Sequence, residues 1–369
     1  MPKLRVKSSS PDYPFLAVLF VLVLFGLAML ASASSNLGKT QFNDSYYYLK
    51  HQIEFGLSLG LLGFLVGYFV PYPFWKKVAF PMLLVAIATL ALVFTKLGAE
   101  VNSTDRWLRL GPLSFQPAEL VKLVYIIYLA AWLANTKLKR EQDFQTGLLP
   151  FAIVSGIIGL LLVLQPATST VAILLGSGLV VYYASGASWK YLLGMVAIGI
   201  AAVLLLVYVT PYRRARITGF LNPGQQQQGQ NYQVNQALIA IGSGGLWGVG
   251  YGQSATKNGY LPEVIDDSIF AVVGEELGFV GACVLAALFC FFTFRLFLIA
   301  KQTTDRFGKL LLIGFGTIIA AQAFTNMASI SGIIPLTGVP LPFVSYGGTA
   351  LAVFLTMSGI AANVSKYSG

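Results

Sequence analysis

Tyr260-Leu-Pro-Glu-Val-Ile-Asp-Asp-Ser-Ile-Phe270, followed at once by Gly274-Glu-Glu-Leu-Gly278, leads into an apolar run over about residues 268 to 299. The run reads as an α-helix long enough to cross a bilayer, and Asp266, Asp267, Glu275 and Glu276 stand at its start. Acidic groups are costly in lipid and rarely accidental there. The rest of the chain therefore reads as a scaffold that holds this segment at a membrane surface, against something anionic or polar.

Composition supports that scaffold. Of 369 residues, 56% are hydrophobic and 10% charged, and the mean hydropathy of +0.73 excludes a soluble domain. Ten apolar segments follow one another, at about 14 to 33, 53 to 70, 78 to 95, 117 to 134, 148 to 165, 169 to 185, 189 to 210, 268 to 299, 308 to 331 and 347 to 365. The fold class is all-α: a single polytopic membrane domain over residues 1–369, with about ten transmembrane helices and a large extracytoplasmic loop, 211–267, between helices 7 and 8. Cys283 and Cys290 are seven residues apart in one helix, too far along its axis to bridge, and read as buried apolar fillers. The basic start at Lys3, Arg5 and Lys7 leads into a stretch long enough to remain as a first span, so no cleaved signal is expected.

An even number of spans puts both termini on one side, and loop charge says which. With the N-terminus inside, the inner loops and tails hold Lys3, Arg5, Lys7, Lys76, Lys77, Lys137, Lys139, Arg140, Lys190, Lys301, Arg306, Lys309 and Lys366. The outer ones hold Lys39, Lys50, Lys96, Arg106, Arg109, Arg213, Arg214, Arg216 and Lys257 over about twice the length. Both termini are expected in the cytoplasm.

The 211–267 connection is then outside. It begins with Arg213, Arg214 and Arg216, passes through the spacer-like Gln225 to Gln228, and is rich in glycine from Gly242 to Gly252. Tyr232 to Ile241 predicts a short amphipathic helix lying on the bilayer. A second loaded stretch, Asn102 to Lys122, places Arg106 and Arg109 beside Trp107 on an outer loop, as an interfacial anchor. Glu119 and Lys122 share one helix face, either as a buried packing pair or as substrate contacts; either way Glu119 faces protein or water. No Walker-type loop, His-rich cluster or Ser-His pair is present, and His51 is the lone histidine. Energy for a reaction must come from the substrate or an ion gradient.

Phe115-Gln-Pro-Ala-Glu-Leu-Val-Lys122, Gln236 to Gly252, Leu261-Pro-Glu263 through Gly278, and Gly338-Val-Pro-Leu-Pro-Phe-Val-Ser-Tyr-Gly-Gly348 resemble the signature segments of the SEDS family, the group containing RodA, FtsW and SpoVE. The resemblance implies a ten-helix peptidoglycan glycosyltransferase, a hexosyltransferase that polymerises the polyprenyl-diphosphate-linked lipid II on the outer face of the bacterial cytoplasmic membrane. It further implies a class B penicillin-binding protein as cross-linking partner and other divisome or elongasome membrane proteins nearby; nucleic acid is not expected. The family's essential aspartate aligns with Asp267. Departures are Asp266 where Thr is usual, Ser268 for Phe, Ala167 for Asp, and His51 where Arg is common. Ser243 to Gln253 and Tyr260 to Glu263 look closer to FtsW and SpoVE than to RodA, which implies a role in division.

The chemistry follows from the residues as well. A sugar diphosphate carries its own activation, so transfer needs a base for the acceptor hydroxyl and positive charge on the departing diphosphate. Asp267 is the candidate base. Arg213, Arg214, Arg216, Lys257, Arg106 or a divalent cation, Mg2+ or Mn2+, would supply the charge, with Arg109, Glu119, Lys122, Glu263 and Ser345 as further substrate contacts. Asp266 beside it raises the pKa of its neighbour by like-charge repulsion and makes a cation site at the pair conceivable. From pattern alone, the pair serves equally as a helix N-cap, worth about 1 kcal/mol. Glu275 and Glu276 read as packing groups, one of them paired with a cation from another span. Pro335 to Gly348 reads as irregular backbone beside a wet cavity, with Ser345 and Tyr346 on it, and Gln322 and Asn326 as inter-helix hydrogen bonders. The alternative function is a flippase for the lipid-linked precursor, which the same groove would suit.

Overall fold

The computed structural model describes residues 10–101, 104–110, 113–135, 140–221 and 230–368. Lys3, Arg5, Lys7, Lys137, Lys139 and the Gln225 to Gln228 run lie outside the described residues. Ten apolar helices among the described residues correspond one to one with the ten apolar segments. They are α1 (Tyr13–Ala33); α3 (Tyr47–His51) joined through a π-turn to α4 (Ser58–Phe69); α5 (Pro73–Leu92); α6 (Pro117–Leu133); α7 (Leu149–Leu164); α8 (Thr168–Ala184); α9 (Trp189–Val209); α12 (Ile269–Gln302); α13 (Arg306–Ile330); and α14 (Gly348–Ser365). The short α2 (Ser35–Phe42) lies between the first two, and α10 (Pro211–Leu221) and α11 (Gln230–Ser243) precede α12.

Helix starts follow local chemistry. Asp12 caps α1 by accepting from Phe15 N at 2.9 Å, and prolines occupy the first turns of α1, α5 and α6, where a missing N–H costs nothing. α13 and α14 form the buried centre, whereas α9 stands almost wholly on the outside. At 17 residues each, α6 and α8 are shorter than the eight helical stretches long and apolar enough to cross a membrane, and α6 carries Glu119 and Lys122 inward.

Both ends of the chain meet at one end of the bundle. Asp12 N donates to Ser365 Oγ at 3.1 Å, and Arg295 of α12 pairs with the Asp12 carboxylate. The opposite end carries α2, α10, α11, the 244–268 loop and a feature absent from the sequence reading. Three short strands, β1 (Gly98–Val101), β2 (Thr104–Leu110) and β3 (Leu113–Phe115), pair as an antiparallel sheet in that order, so the described residues are all-α apart from this small sheet.

One break decides where the acidic segment goes. Gly278 inside α12 has φ +69°, a conformation costly for any side chain, and the helix folds over there. The freed backbone groups are taken up by the glycine-rich loop: Phe279 N donates to Gly245 O, Val249 N to Glu275 O and Gly250 N to Glu276 O, all at 2.9–3.1 Å. The first part of α12 is thereby laid over the bundle. Asp267, two residues before α12, accepts from Asn326 of α13, about 30 Å from Arg306 at about 1.5 Å per residue, which is one bilayer thickness.

Two expectations change. Cys283 and Cys290 are exposed on the outer face of α12, because the helix turns Leu285 and Phe289 inward instead. α11 buries Ala237 and Ala240, and Gln233 Nε2 donates to Ser268 Oγ, so one face packs on protein while Leu238 and Ile239 look outward.

Candidate active site

The turn before α12 is pinned at three successive carbonyls. Tyr346 N donates to Ile265 O at 2.9 Å, Ser345 Oγ to Asp266 O at 2.5 Å, and Asn326 Nδ2 to Asp267 O at 2.8 Å. Asn326 Nδ2 also reaches Val339 O at 2.8 Å, and Gln322 Nε2 donates to Pro340 O at 2.9 Å. The Pro335–Gly347 loop and one face of α13 together therefore fix the backbone of both aspartates. From inside the turn, Ser268 N and Asp266 N both donate to Glu263 O, at 3.0 and 3.2 Å, with Glu263 at φ +48°.

The N-cap reading fails. Ser268 makes no side-chain cap bond, its hydroxyl accepting from Gln233 instead, and the carboxylates of Asp266 and Asp267 are left to the surroundings. Those surroundings differ. Asp267 lies within reach of Arg216 on α10 and Arg106 on β2, and its Oδ2 and an Arg216 guanidinium nitrogen flank Gly338. Gly338 has φ +64°, and a Cβ there would stand 3.4 Å from Asp267 Oδ2 and 3.9 Å from Arg216 Nη2. Burial and the neighbouring Glu263 charge push the Asp267 carboxyl up to about 6, while Arg216 and Arg106 oppose the rise. Asp266 is raised well above the usual carboxylate range by burial, by Asp267 and by Glu263. Both keep a partial opening to solvent.

The other candidates separate by partner. Arg106 holds its place through Nε to Gln165 O and Nη2 to Pro166 O, each 2.8 Å. Arg109 is three residues on along β2, and strand alternation sends it to the opposite face, where it is exposed. Arg213 donates to Thr168 and Thr210 hydroxyls at 3.0 Å and to Val163 O at 3.3 Å, tying α10 to the end of α7; Arg214 bonds Tyr208 O and lies over its ring. Glu263 is exposed beside the pair.

Four of the expected substrate contacts, Lys257, Glu119, Lys122 and Ser345, are buried and engaged with protein partners. Lys257 is buried against Glu276 at 2.8 Å, with Ser32 Oγ and Gly252 O as further acceptors. Glu276 thus takes its cation from the loop and only the Ser32 hydroxyl from another span, α1, while Glu275 accepts from Ser254, Ala255 and Thr256, which clamps that loop on α12. Glu119 and Lys122 form a buried pair at 2.7 Å, and Lys122 Nζ donates to Gln322 Oε1 at 2.6 Å; the pair braces the Pro340 loop from below. Ser345 is buried and engaged with Asp266 O and Leu341 N, so it positions the aspartate and does not face a ligand.

No group of three or more His, Cys, Asp or Glu side chains is placed to hold a metal among the described residues. The sequence reading quoted Gly338 without a role and gave Asn326 as an inter-helix hydrogen bonder, whereas Asn326 bonds the carbonyls of Asp267 and Val339.

The sequence model described as "Cell cycle protein" for FtsW, RodA and SpoVE matches residues 13–369. The chain belongs to the FtsW/RodA/SpoVE family. Within that family it is 36% identical over 355 residues to the probable peptidoglycan glycosyltransferase FtsW of Geobacter sp. (strain M18), covering 96% of each chain. It is 34% identical over 366 residues to the stage V sporulation protein E of Bacillus subtilis (strain 168), covering 99% of this chain and all of that one. Among solved structures, it superposes with a TM-score of 0.78 and 29% identity on a chain of a peptidoglycan synthase complex described as coordinating polymerization and crosslinking, over 96% and 97% of the two chains. Rod shape determining protein RodA of Thermus thermophilus gives 0.71 and 28% identity, over 97% of each chain. Of the positions singled out in the sequence, Ala167 lies beside the Gln165 and Pro166 carbonyls that Arg106 bonds, and His51 Nδ1 shares a 2.8 Å hydrogen bond with Tyr346 OH.

Proposed function

We propose that this chain is a peptidoglycan glycosyltransferase that polymerises lipid II at the outer face of the cytoplasmic membrane, with both termini in the cytoplasm. The observation that carries the reading is Asp267: a carboxyl with a pKa near 6, fixed at one end of a membrane bundle beside two guanidinium groups. In the transfer, the acceptor hydroxyl oxygen bonds to the anomeric carbon of the donor while the bond from that carbon to the diphosphate oxygen breaks. The diphosphate leaves with the electron pair, and Asp267 takes the hydroxyl proton. Arg216 and Arg106 oppose the charge growing on the diphosphate, helped by any Mg2+ or Mn2+ that the diphosphate itself carries. Asn326, Ser345 and Gly338 hold the base in place and leave room beside it.

The likeness to FtsW and to a synthase complex supports a class B penicillin-binding protein as cross-linking partner, with other division or elongation proteins of the membrane around it. A flippase would place its ionisable groups near mid-membrane, whereas Asp267 stands at the bundle end. The test is purified protein with lipid II in detergent, where a flippase makes no product. Glycan strands from the wild type and none from Asp267→Asn are expected; normal strands from that variant overturn the assignment.

A further inference from the structure

Asp266 faces a different neighbourhood from Asp267, and it is aromatic. Tyr48 and Tyr346 lie within electrostatic reach of its carboxylate, and the Tyr346 N to Ile265 O bond puts that residue beside the aspartate turn. The rings form one packed wall. Phe42 stacks on Tyr47 at 3.7 Å, Tyr47 meets Tyr48 edge-on at 5.5 Å, Tyr48 meets Tyr346 edge-on at 5.2 Å, and His51 bonds the Tyr346 hydroxyl. Tyr48 OH donates to Gln41 Oε1 at 2.6 Å, and Phe42 is 46% exposed.

These rings pack on one another, the Tyr48 and Tyr346 hydroxyls are hydrogen-bonded, and the wall adjoins Asp266, whereas Arg216 and Arg106 act on Asp267. An apolar ring face next to groups that exchange hydrogen bonds with hydroxyls is what a sugar ring requires, since its C–H face is apolar and its rim polar. We infer that the wall of Phe42, Tyr47, Tyr48 and Tyr346 with Asp266 is the subsite for the acceptor saccharide, on the side of Asp267 away from Arg216 and Arg106. The inference rests on the glycosyltransferase reading and deepens it. The two aspartates then divide the work: Asp266 holds hydroxyls of the acceptor ring, and Asp267 removes the proton from the attacking one. The acceptor enters over α2 and α3, and the donor diphosphate lies over β2 and α10.

Two probes test this on the full-length protein carrying Asp267→Asn to prevent turnover. One is a lipid-free oligosaccharide of β-1,4-linked N-acetyl amino sugars, and the other is a polyprenyl diphosphate without sugar. Phe42→Ala, at an exposed ring, is expected to weaken oligosaccharide binding by roughly tenfold, the order that losing one stacked ring gives, and to leave diphosphate binding unchanged. Arg216→Gln should do the reverse, and Tyr48→Phe, which keeps the ring, should retain oligosaccharide affinity. Unchanged oligosaccharide affinity in Phe42→Ala, or none in the parent protein, overturns the inference. Glycan synthesis by the wild type decides the catalytic reading separately, so a protein that polymerises yet ignores Phe42→Ala overturns the subsite alone.

Discussion

Asp267 works as a base only when ionised, so its raised pKa sets the acid side of the pH profile. With a carboxyl near 6, the rate of glycan synthesis should rise as pH passes through about 6 and level off above it. Arg216 lowers that value, so Arg216→Gln should move the rise to higher pH as well as slow the plateau; an unmoved profile would separate the guanidinium from the base. For folding the sign is opposite. The folded state holds the Asp267 proton up to about 6, the unfolded chain only to 3.8, so ionisation between those values costs stability and the cost persists above. Asp267→Asn should therefore lower activity by roughly 10²- to 10⁴-fold while its Tm at pH 7.5 is no lower than wild type. The aspartate was legible in the sequence because an acid at the start of an apolar helix has few reasons to exist. The basic residues were less so. Arg106, Arg213 and Lys257 look alike in a sequence, yet one adjoins the base, one ties α10 to α7 and one is sealed against Glu276, because the partner of a long side chain is set by tertiary packing.

At the scale of elements, the helices could be read from hydropathy because lipid imposes a length and a composition, and eight of them are long and apolar enough to cross a membrane. The sheet of β1 to β3 could not, since its short strands carry little periodicity and owe their pairing to each other. The fold-over of α12 was equally hidden: Gly278 follows Glu275 and Glu276 within a run that reads as one helix, and only its φ of +69° and the loop laid against it reveal the break. A Cβ at Gly278 would stand 2.3 Å from Gly248 N and 2.5 Å from Leu246 O, so Gly278→Ala cannot be absorbed by a rotamer change. Loss of about 2 kcal/mol or more is expected, visible as a lowered Tm in detergent, together with lost activity as the aspartate turn swings away from Asn326. The Lys257–Glu276 pair that clamps the same loop gives a second measurement. Lys257→Met alone leaves a buried carboxylate without its cation and should cost about 3–5 kcal/mol, whereas Lys257→Met with Glu276→Leu should recover much of the Tm.

At the scale of the whole molecule, charge bias and packing have to agree on one orientation. The hydrogen bond from Asp12 N to Ser365 Oγ brings the two ends of the described chain together, and Asp267 lies about one bilayer thickness from them by the rise of α13. A lipid diphosphate sits at a membrane surface, so the compartment that meets Tyr260 and Asp267 is the compartment where polymer appears. Single cysteines report it directly. After Cys283 and Cys290 are replaced by Ser, which their outward position on α12 should tolerate, cysteine at Tyr260 should react with a membrane-impermeant maleimide added to intact spheroplasts. Cysteine at Lys301, at the other end of α12, should react only after the membrane is opened. Labelling in the reverse pattern would put Asp267 on the cytoplasmic face, where no growing glycan could reach it, and the polymerase reading would fall with the orientation.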